Sequence, residues 1–255
     1  MKTIAIIVAG GSGTRFGAQV PKQFLELGGK PILMRTIETF GEHCDDIVVT
    51  LPADQIGQWL LMCEKYSFVV PHRVVVGGET RWHSVKNALD SIGDVGDRDL
   101  IAVHDGVRPL VSDSLILDAI EVALKYGNAI PVVPLNDSVR QKDEKGDSRA
   151  LDRSSLVAVQ TPQVFKASVL MQAYQQPYDP KFTDDASVVE SLGNLIKIIE
   201  GDPKNLKITR PMDLVVAEYL LNNAWPASHR HTVHARCGSQ TCRDAQERTG
   251  HQHLL

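Results

Sequence analysis

Long apolar runs are missing from this chain of 255 residues. The opening stretch MKTIAIIVAGG has only a few consecutive apolar residues before its glycines. That is too short for the core of a secretory leader or for a membrane span, which needs ~20. Cysteine is scarce as well: Cys44, Cys63, Cys237 and Cys242 are too few and too scattered for a disulfide framework. An excess of positive charge is also absent. With 27 Lys and Arg against 31 Asp and Glu the net charge is -4, which argues against a nucleic-acid partner. Any anion must therefore be held by local groups. The 43% hydrophobic content suffices for a sizeable core. The expectation is a cytoplasmic protein with no membrane and no nucleic-acid partner.

What is present is alternation. Short β-branched runs fall at Ile4–Val8, Ile47–Leu51, Arg73–Val76, Leu100–Val103, Ala129–Val133, Val157–Gln160 and Leu195–Glu200. Between them apolar residues recur three and four apart, at Ile32–Phe40, Gln55–Lys65, Ser84–Ile92, Leu115–Tyr126 and Ala186–Leu192, and Asp213–Leu221 closes the series. This pattern predicts an α/β fold with a mostly parallel, twisted sheet flanked by helices. Ligands of such sheets sit at the carboxyl ends of the strands. Two stretches break the pattern. Residues 134–155, PLNDSVRQKDEKGDSRALDRSS, are charged and read either as a projecting hairpin or as a disordered surface loop. Residues 226–255 hold five of the nine histidines with Cys237 and Cys242, at spacings that match no familiar zinc finger, and read as a poorly ordered tail beyond a domain spanning 1–225.

The stretch VAGGSGTRFGAQVPKQF, from Val8 to Phe24, follows the first predicted strand and raises the question of which phosphate loop it is. A Walker loop fails, because Gly29-Lys30 is followed by Pro31 and Phe24 stands where the first glycine belongs. A dinucleotide fingerprint fails at its third glycine, which is Phe16. A nucleotidyltransferase loop fits: Gly10, Gly11 and Gly13 let backbone N–H groups approach a triphosphate, while Arg15 and Lys22 add full positive charge.

With this loop stand GGETRWHSV at Gly77–Val85, VHDGVRPLV at Val103–Val111, QTPQVF at Gln160–Phe165, TDDAS at Thr183–Ser187 and LKITRPMDL at Leu206–Leu214. Together they resemble the polyol-phosphate cytidylyltransferases, in particular the branch acting on 2-C-methyl-D-erythritol 4-phosphate in non-mevalonate isoprenoid synthesis. The resemblance runs in order from about Ile4 to Leu221. It implies a Rossmann-like nucleotidyltransferase fold with a projecting β-hairpin arm at 134–155 that pairs with a second subunit, hence a homodimer. It also implies a reaction: CTP and the polyol phosphate give the CDP-linked polyol and pyrophosphate, with Mg²⁺ or another divalent cation.

The roles below are implied by the same resemblance. Arg15 and Lys22 stabilise charge in the transition state. Arg153 and Lys207 orient the acceptor phosphate. Ala9, Gly10, Gly11, Gly13, Gly78, Glu79, Arg81 and Ser84 contact the nucleotide, and Asp105 is a Mg²⁺ or ribose contact. Gly106 faces the nucleotide, Arg108 binds phosphate or pairs with Asp105, and Ser138, Thr161 and Thr183 are further substrate contacts. His104 takes a structural role, since an acceptor phosphate needs no base. The competing readings are a ribitol-5-phosphate cytidylyltransferase, which shares PKQF, the HD and RP pairs and TPQ, and a non-catalytic nucleotide-binding protein of the same fold.

Overall fold

The computed structural model describes residues 1–10 and 20–223. Gly11, Gly13, Arg15 and the expected tail at 226–255 lie outside the described residues. In chain order the elements are β1 Thr3–Val8, β2 Glu26–Leu27, β3 Lys30–Pro31, α1 Ile32–Gly41, β4 Asp46–Leu51, α2 Ala53–Lys65, β5 Arg73–Val76, α3 Arg81–Ser91, β6 Leu100–Asp105 and α4 Asp113–Tyr126, followed by β7 Asn128–Pro134, β8 Arg140–Lys142, β9 Ser148–Ala150, β10 Val157–Val159, β11 Gln163–Lys166, α5 Ala167–Ala173, α6 Asp185–Glu190, β12 Ile198–Glu200 and α7 Pro211–Asn222.

β1 is apolar on both faces because it is covered on both. Ala5 and Ile7 join a core cluster with Leu33, Ile37 and Phe40 of α1, Trp59 of α2 and Ile116 of α4. Ile4 and Ile6 join the opposite cluster with Val85 and Leu89 of α3, Leu170 of α5 and Val189 of α6. A strand buried on both sides reads as a continuous hydrophobic run, and each isoleucine so taken from water contributes about 1.5–3 kcal/mol. Local signals set the helix ends. Thr80 accepts from the His83 N–H and starts α3, Ser112 accepts from the Leu115 N–H and starts α4, and Gly127 (φ 93°) stops α4 in the left-handed region that glycine tolerates.

β1 lies between β4 and β6 and runs parallel to both; β5 extends the sheet in parallel beyond β4. The other side of β6 breaks the parallel pattern. β11 pairs antiparallel with β6 and with the start of β7, β10 pairs antiparallel with the end of β7, and β12 runs parallel to β7. Pattern reading found neither β11 nor α5, which are only four and seven residues long. It also began the last strand at Leu195, whereas β12 starts at Ile198. There the Asn128 side chain takes the place of a backbone partner, donating to the Leu195 carbonyl and accepting from the Lys197 N–H.

The charged stretch is a hairpin. β8 and β9 pair antiparallel, and Asp143 Oδ1 accepts from the Lys145 and Asp147 N–H groups to close the turn at Gly146 (φ 90°). Its strands are exposed on every residue.

Candidate active site

Parallel strands deliver their following loops to one end of a sheet. Here β1 ends at Val8 beside Asp105 of β6, so Ala9 and Gly10 emerge next to that carboxylate. β5 delivers Gly77 and Gly78 at the same end, where the Gly77 N–H donates to the Leu51 carbonyl. Because β11 is antiparallel, it brings its beginning to this end as well, which places Thr161 behind Asp105. Between these loops is a cavity of about 340 Å³, walled by Ala9, Gly10, Lys22, Gly78, Glu79, Arg81, Ser84, Asp105 and Lys207 among the expected residues, and by Gln23 and Thr80 besides.

Asp105 is the electrostatic centre. Its Oδ2 is 3.0 Å from Arg108 Nε and 3.1 Å from Lys207 Nζ, and its Oδ1 is 3.6 Å from Arg81 Nε. Burial alone would raise its pKa, but Arg81, Lys207 and Arg108 outweigh that and hold the carboxyl well below the usual carboxylate range. Arg81 shows the mirror effect: burial works against its charge, yet Asp185 and Asp105 raise its pKa above the ordinary arginine value.

His104, one residue earlier, is fully buried and belongs to the scaffold. Its Nε2 is 3.2 Å from the Arg108 carbonyl, which can only accept, so Nε2 carries the proton. Nδ1 then accepts from the Thr161 hydroxyl at 3.0 Å, and that oxygen in turn accepts from the Asp105 N–H at 3.1 Å. Burial is the largest influence on the ring and lowers its pKa to about 3, keeping it neutral. This neutral imidazole sets the end of β6 rather than moving a proton.

Several expected residues stand behind the cavity wall. Arg108 is spent on Asp105 and on the Asn205 carbonyl, to which Nη1 donates at 2.7 Å, so of its two expected roles it fills the local one. Gly106 turns inward: a Cβ there would lie 3.0 Å from Leu33 Cδ1 and 3.1 Å from Ala9 Cβ, so the glycine serves the packing of β6 against β1 and α1. Ser138, Arg153 and Thr183 are exposed and outside the cavity. Arg153 Nη1 donates to the Asn136 carbonyl at the base of the hairpin.

Gly78 is where the wall needs glycine most. A Cβ there would sit 2.3 Å from His83 Cβ and 2.9 Å from the His83 carbonyl carbon. Neither neighbour can yield without moving the first turn of α3, whose Ser84 hydroxyl accepts from the Gly78 N–H at 3.1 Å. Gly78→Ala is expected to cost about 1–3 kcal/mol in a urea titration, as overpacking commonly does. It should also weaken binding of the CTP that the motifs lead one to expect by roughly tenfold, because Ser84 is displaced with the turn; unchanged affinity by calorimetry would contradict this.

Three buried polar residues of the site escaped sequence reading. Gln23 donates through Nε2 to the Ala9 carbonyl at 2.9 Å and to Gln55 Oε1 at 2.6 Å, tying the end of the glycine loop to β1 and α2. Asn205 donates to the Thr161 carbonyl at 2.7 Å. Asp185 accepts from Arg81 Nη2 at 2.7 Å. Two of them lay inside quoted motifs, PKQF and TDDAS, which was the available signal.

As for a cation, no cluster of three or more His, Cys, Asp or Glu exists among the described residues. Asp105 alone remains, ionised, with only the longer contact on Oδ1. Such a donor set fits Mg²⁺, which characteristically binds one or two carboxylates and completes its shell with substrate phosphates and water.

Fixed cations around one ionised carboxylate, at the end of the sheet where β1 gives way to Ala9 and Gly10, are suited to bringing polyphosphates together without a protein base or nucleophile, and the class that such an arrangement defines is the nucleotidyltransferases. The family model for 2-C-methyl-D-erythritol 4-phosphate cytidylyltransferase matches residues 3–223. A protein of that name from Porphyromonas gingivalis is 48% identical over 223 residues, covering 87% of this chain and 99% of the relative. Another from Bacteroides fragilis is 46% identical over 219 residues, covering 85% and 98%. Among solved structures, the 2-C-methyl-D-erythritol 4-phosphate cytidylyltransferase of Francisella tularensis superposes with a TM-score of 0.71 at 30% identity, covering 86% of this chain and 99% of that one. The 4-diphosphocytidyl-2C-methyl-D-erythritol synthase of Anaerococcus prevotii gives 0.72 at 27% identity, covering 87% and 96%. The chain belongs to the 2-C-methyl-D-erythritol 4-phosphate cytidylyltransferase family. Among the described residues no helix is long and apolar enough to cross a membrane.

Proposed function

We propose that this protein transfers the cytidylyl group of CTP to 2-C-methyl-D-erythritol 4-phosphate in isoprenoid precursor synthesis, in the cytoplasm. A phosphate oxygen of the acceptor attacks the α-phosphorus of CTP and forms the new P–O bond. The bond from that phosphorus to the bridging oxygen breaks, and pyrophosphate leaves with both electrons. The acceptor is already an anion at neutral pH, so the barrier lies in bringing two polyanions together. The observation that carries this reading is the convergence of Lys22, Arg81 and Lys207 with ionised Asp105 on one cavity, in a chain of this family.

Each residue then has a task. Lys22, with Arg15 of the glycine loop, offsets charge that builds on the α-phosphate and on the leaving pyrophosphate. Ala9, Gly10 and Gly78 let the nucleotide approach the backbone, and Ser84 with Gly78 borders the base. Lys207 faces the acceptor phosphate. Asp105 would hold a divalent cation such as Mg²⁺, which would supply neutralisation of triphosphate charge. The test is pyrophosphate release from CTP with methylerythritol phosphate and with ribitol 5-phosphate. Release with the first alone is expected. Equal or better release with the second moves the protein to the ribitol reading, and release with neither makes it a binding module.

The exposed hairpin completes the proposal. Ser138 and Arg153 stand on or beside it, outside their own chain's cavity, which suits an arm that reaches the site of a second copy in a homodimer. Arg153→Ala and Lys22→Ala subunits, each inactive alone, are then expected to regain about a quarter of wild-type activity when refolded together, since half the dimers are mixed and each mixed dimer holds one whole site. No regain would mean that the hairpin serves its own chain.

A further inference from the structure

Arg81 enters the cavity from the first turn of α3, but its guanidinium is aimed from elsewhere. Behind it stands Asp185, in the first turn of α6, with no solvent exposure and outside the cavity lining. Arg81 Nη2 donates to Asp185 Oδ2 at 2.7 Å, and Tyr174 donates its hydroxyl to Asp185 Oδ1 at 2.7 Å. Tyr174 is itself buried against Trp82, with ring centroids 5.4 Å apart, and burial followed by the charge of Asp185 raises its pKa, so it stays a donor. The start of α6 is fixed in turn by Gln163, whose Oε1 accepts from the Ala186 N–H at 2.9 Å and whose Nε2 donates to Asp184 at 2.8 Å. In front of Arg81, its Nε lies 3.6 Å from Asp105 Oδ1, too far for a hydrogen bond.

The guanidinium is thus shared between two carboxylates, one in the cavity wall and one behind it. We propose that Asp185 is a positioning residue: by holding Arg81 from behind, it keeps the guanidinium from closing bidentately on Asp105 and leaves Arg81 donors turned toward the phosphates of the bound nucleotide. An arginine offered only one carboxylate forms the two-bond fork that its geometry favours. That fork would occupy Asp105 Oδ1 and remove Arg81 donors from the cavity at once. Asp185 also fixes in advance a side chain that otherwise loses rotamer freedom when ligand binds. This inference rests on the proposed nucleotidyl transfer.

The test is a double-mutant cycle with Asp185→Asn, which keeps shape and removes charge, and Arg81→Gln. D185N is expected to lower kcat/KM for CTP by about 30- to 100-fold, in line with the cost of misplacing one catalytic group. The double variant is expected to be no worse than R81Q alone, because Asp185 acts only through Arg81. Losses that multiply, or a D185N enzyme with wild-type kcat/KM, would overturn the proposal. Should D185N fail to fold, Tyr174→Phe carries the same cycle with an expected loss of about 3- to 10-fold, since it removes only one hydrogen bond to Asp185. A wild-type protein that releases no pyrophosphate sinks the functional reading instead. The Arg81 Nε–Hε resonance of the ligand-free protein then still decides the positioning: a shift or loss in D185N supports it, and an unchanged signal overturns it.

Discussion

Lys22→Ala is expected to lower turnover in the pyrophosphate-release assay by about 10²–10³-fold, the loss typical when one stabilising group at a developing charge is removed, while the thermal midpoint stays near that of the parent. Lys22 sits in the short turn that returns the chain from the glycine loop, with Gln23 beside it buried and bonded to the Ala9 carbonyl. The ammonium therefore belongs to a segment that its neighbour Gln23 anchors. On the proposed reading its charge matters to the reaction, because negative charge moves onto the β-phosphate as pyrophosphate departs. The loss should fall on kcat more than on KM, since the developing charge exists only in the transition state. An enzyme that kept its turnover would remove Lys22 from the chemistry. A variant that lost turnover only by unfolding would leave its charge without a demonstrated role.

Asp105→Asn is expected to be severe in a different way, lowering both stability and activity. The substitution leaves Arg81, Arg108 and Lys207 around a neutral amide in a largely buried site, where breaking a charge pair by removing one partner costs about 3–5 kcal/mol. The sign of the pH dependence follows. Because the native pKa of Asp105 is depressed, its stabilisation is fully present above the ordinary carboxylate pKa, near 4, and is lost as pH falls through the native value. Wild type and D105N should therefore differ fully in urea titrations at pH 7 and at pH 5, and converge only below about pH 4. Activity should fall at least a hundredfold at every pH, because Lys207 loses the anion that holds it and Arg81 loses the carboxylate in front of it. A D105N protein with wild-type stability would show that the three cations do not depend on this carboxylate.

Much of the framework was legible because it rests on burial. Both faces of β1 are covered, and so it reads as an unbroken apolar run; α1 and α4 expose one face, and so they read with helical spacing. The charge of residues 134–155 placed them outside the core without separating a hairpin from a disordered loop; only the family resemblance pointed to an arm. β11 was not legible. Its four residues, QVFK, fit a strand no better than a loop, and only pairing with β6 and β7 makes them one. The site divides along a similar line. Gly10 and Lys22 stood out by residue type in the glycine-rich stretch, and Gly78, Arg81, Ser84, Asp105 and Lys207 through the resemblance of their motifs; all of them meet at one cavity. Gln23, Asn205 and Asp185 did not, because a buried polar residue that bonds to backbone or to another side chain leaves no period in a sequence. Arg108, open between binding phosphate and pairing with Asp105, takes the second role, and Gly106, expected to face the nucleotide, serves instead as a spacer between β6, β1 and α1. Polar scaffolding and ligand contact draw on the same residues, and only distances separate them.

The most direct test of the whole account is the position of the nucleotide in a crystal of the protein with CTP and Mg²⁺. The account predicts the triphosphate at the carboxyl end of β1, with Lys22 and Arg81 within hydrogen-bonding distance of its oxygens and the base beside Gly78 and Ser84. A triphosphate bound elsewhere, with Lys22 and Arg81 turned from it, would contradict the claim that these cations bring the two phosphates together.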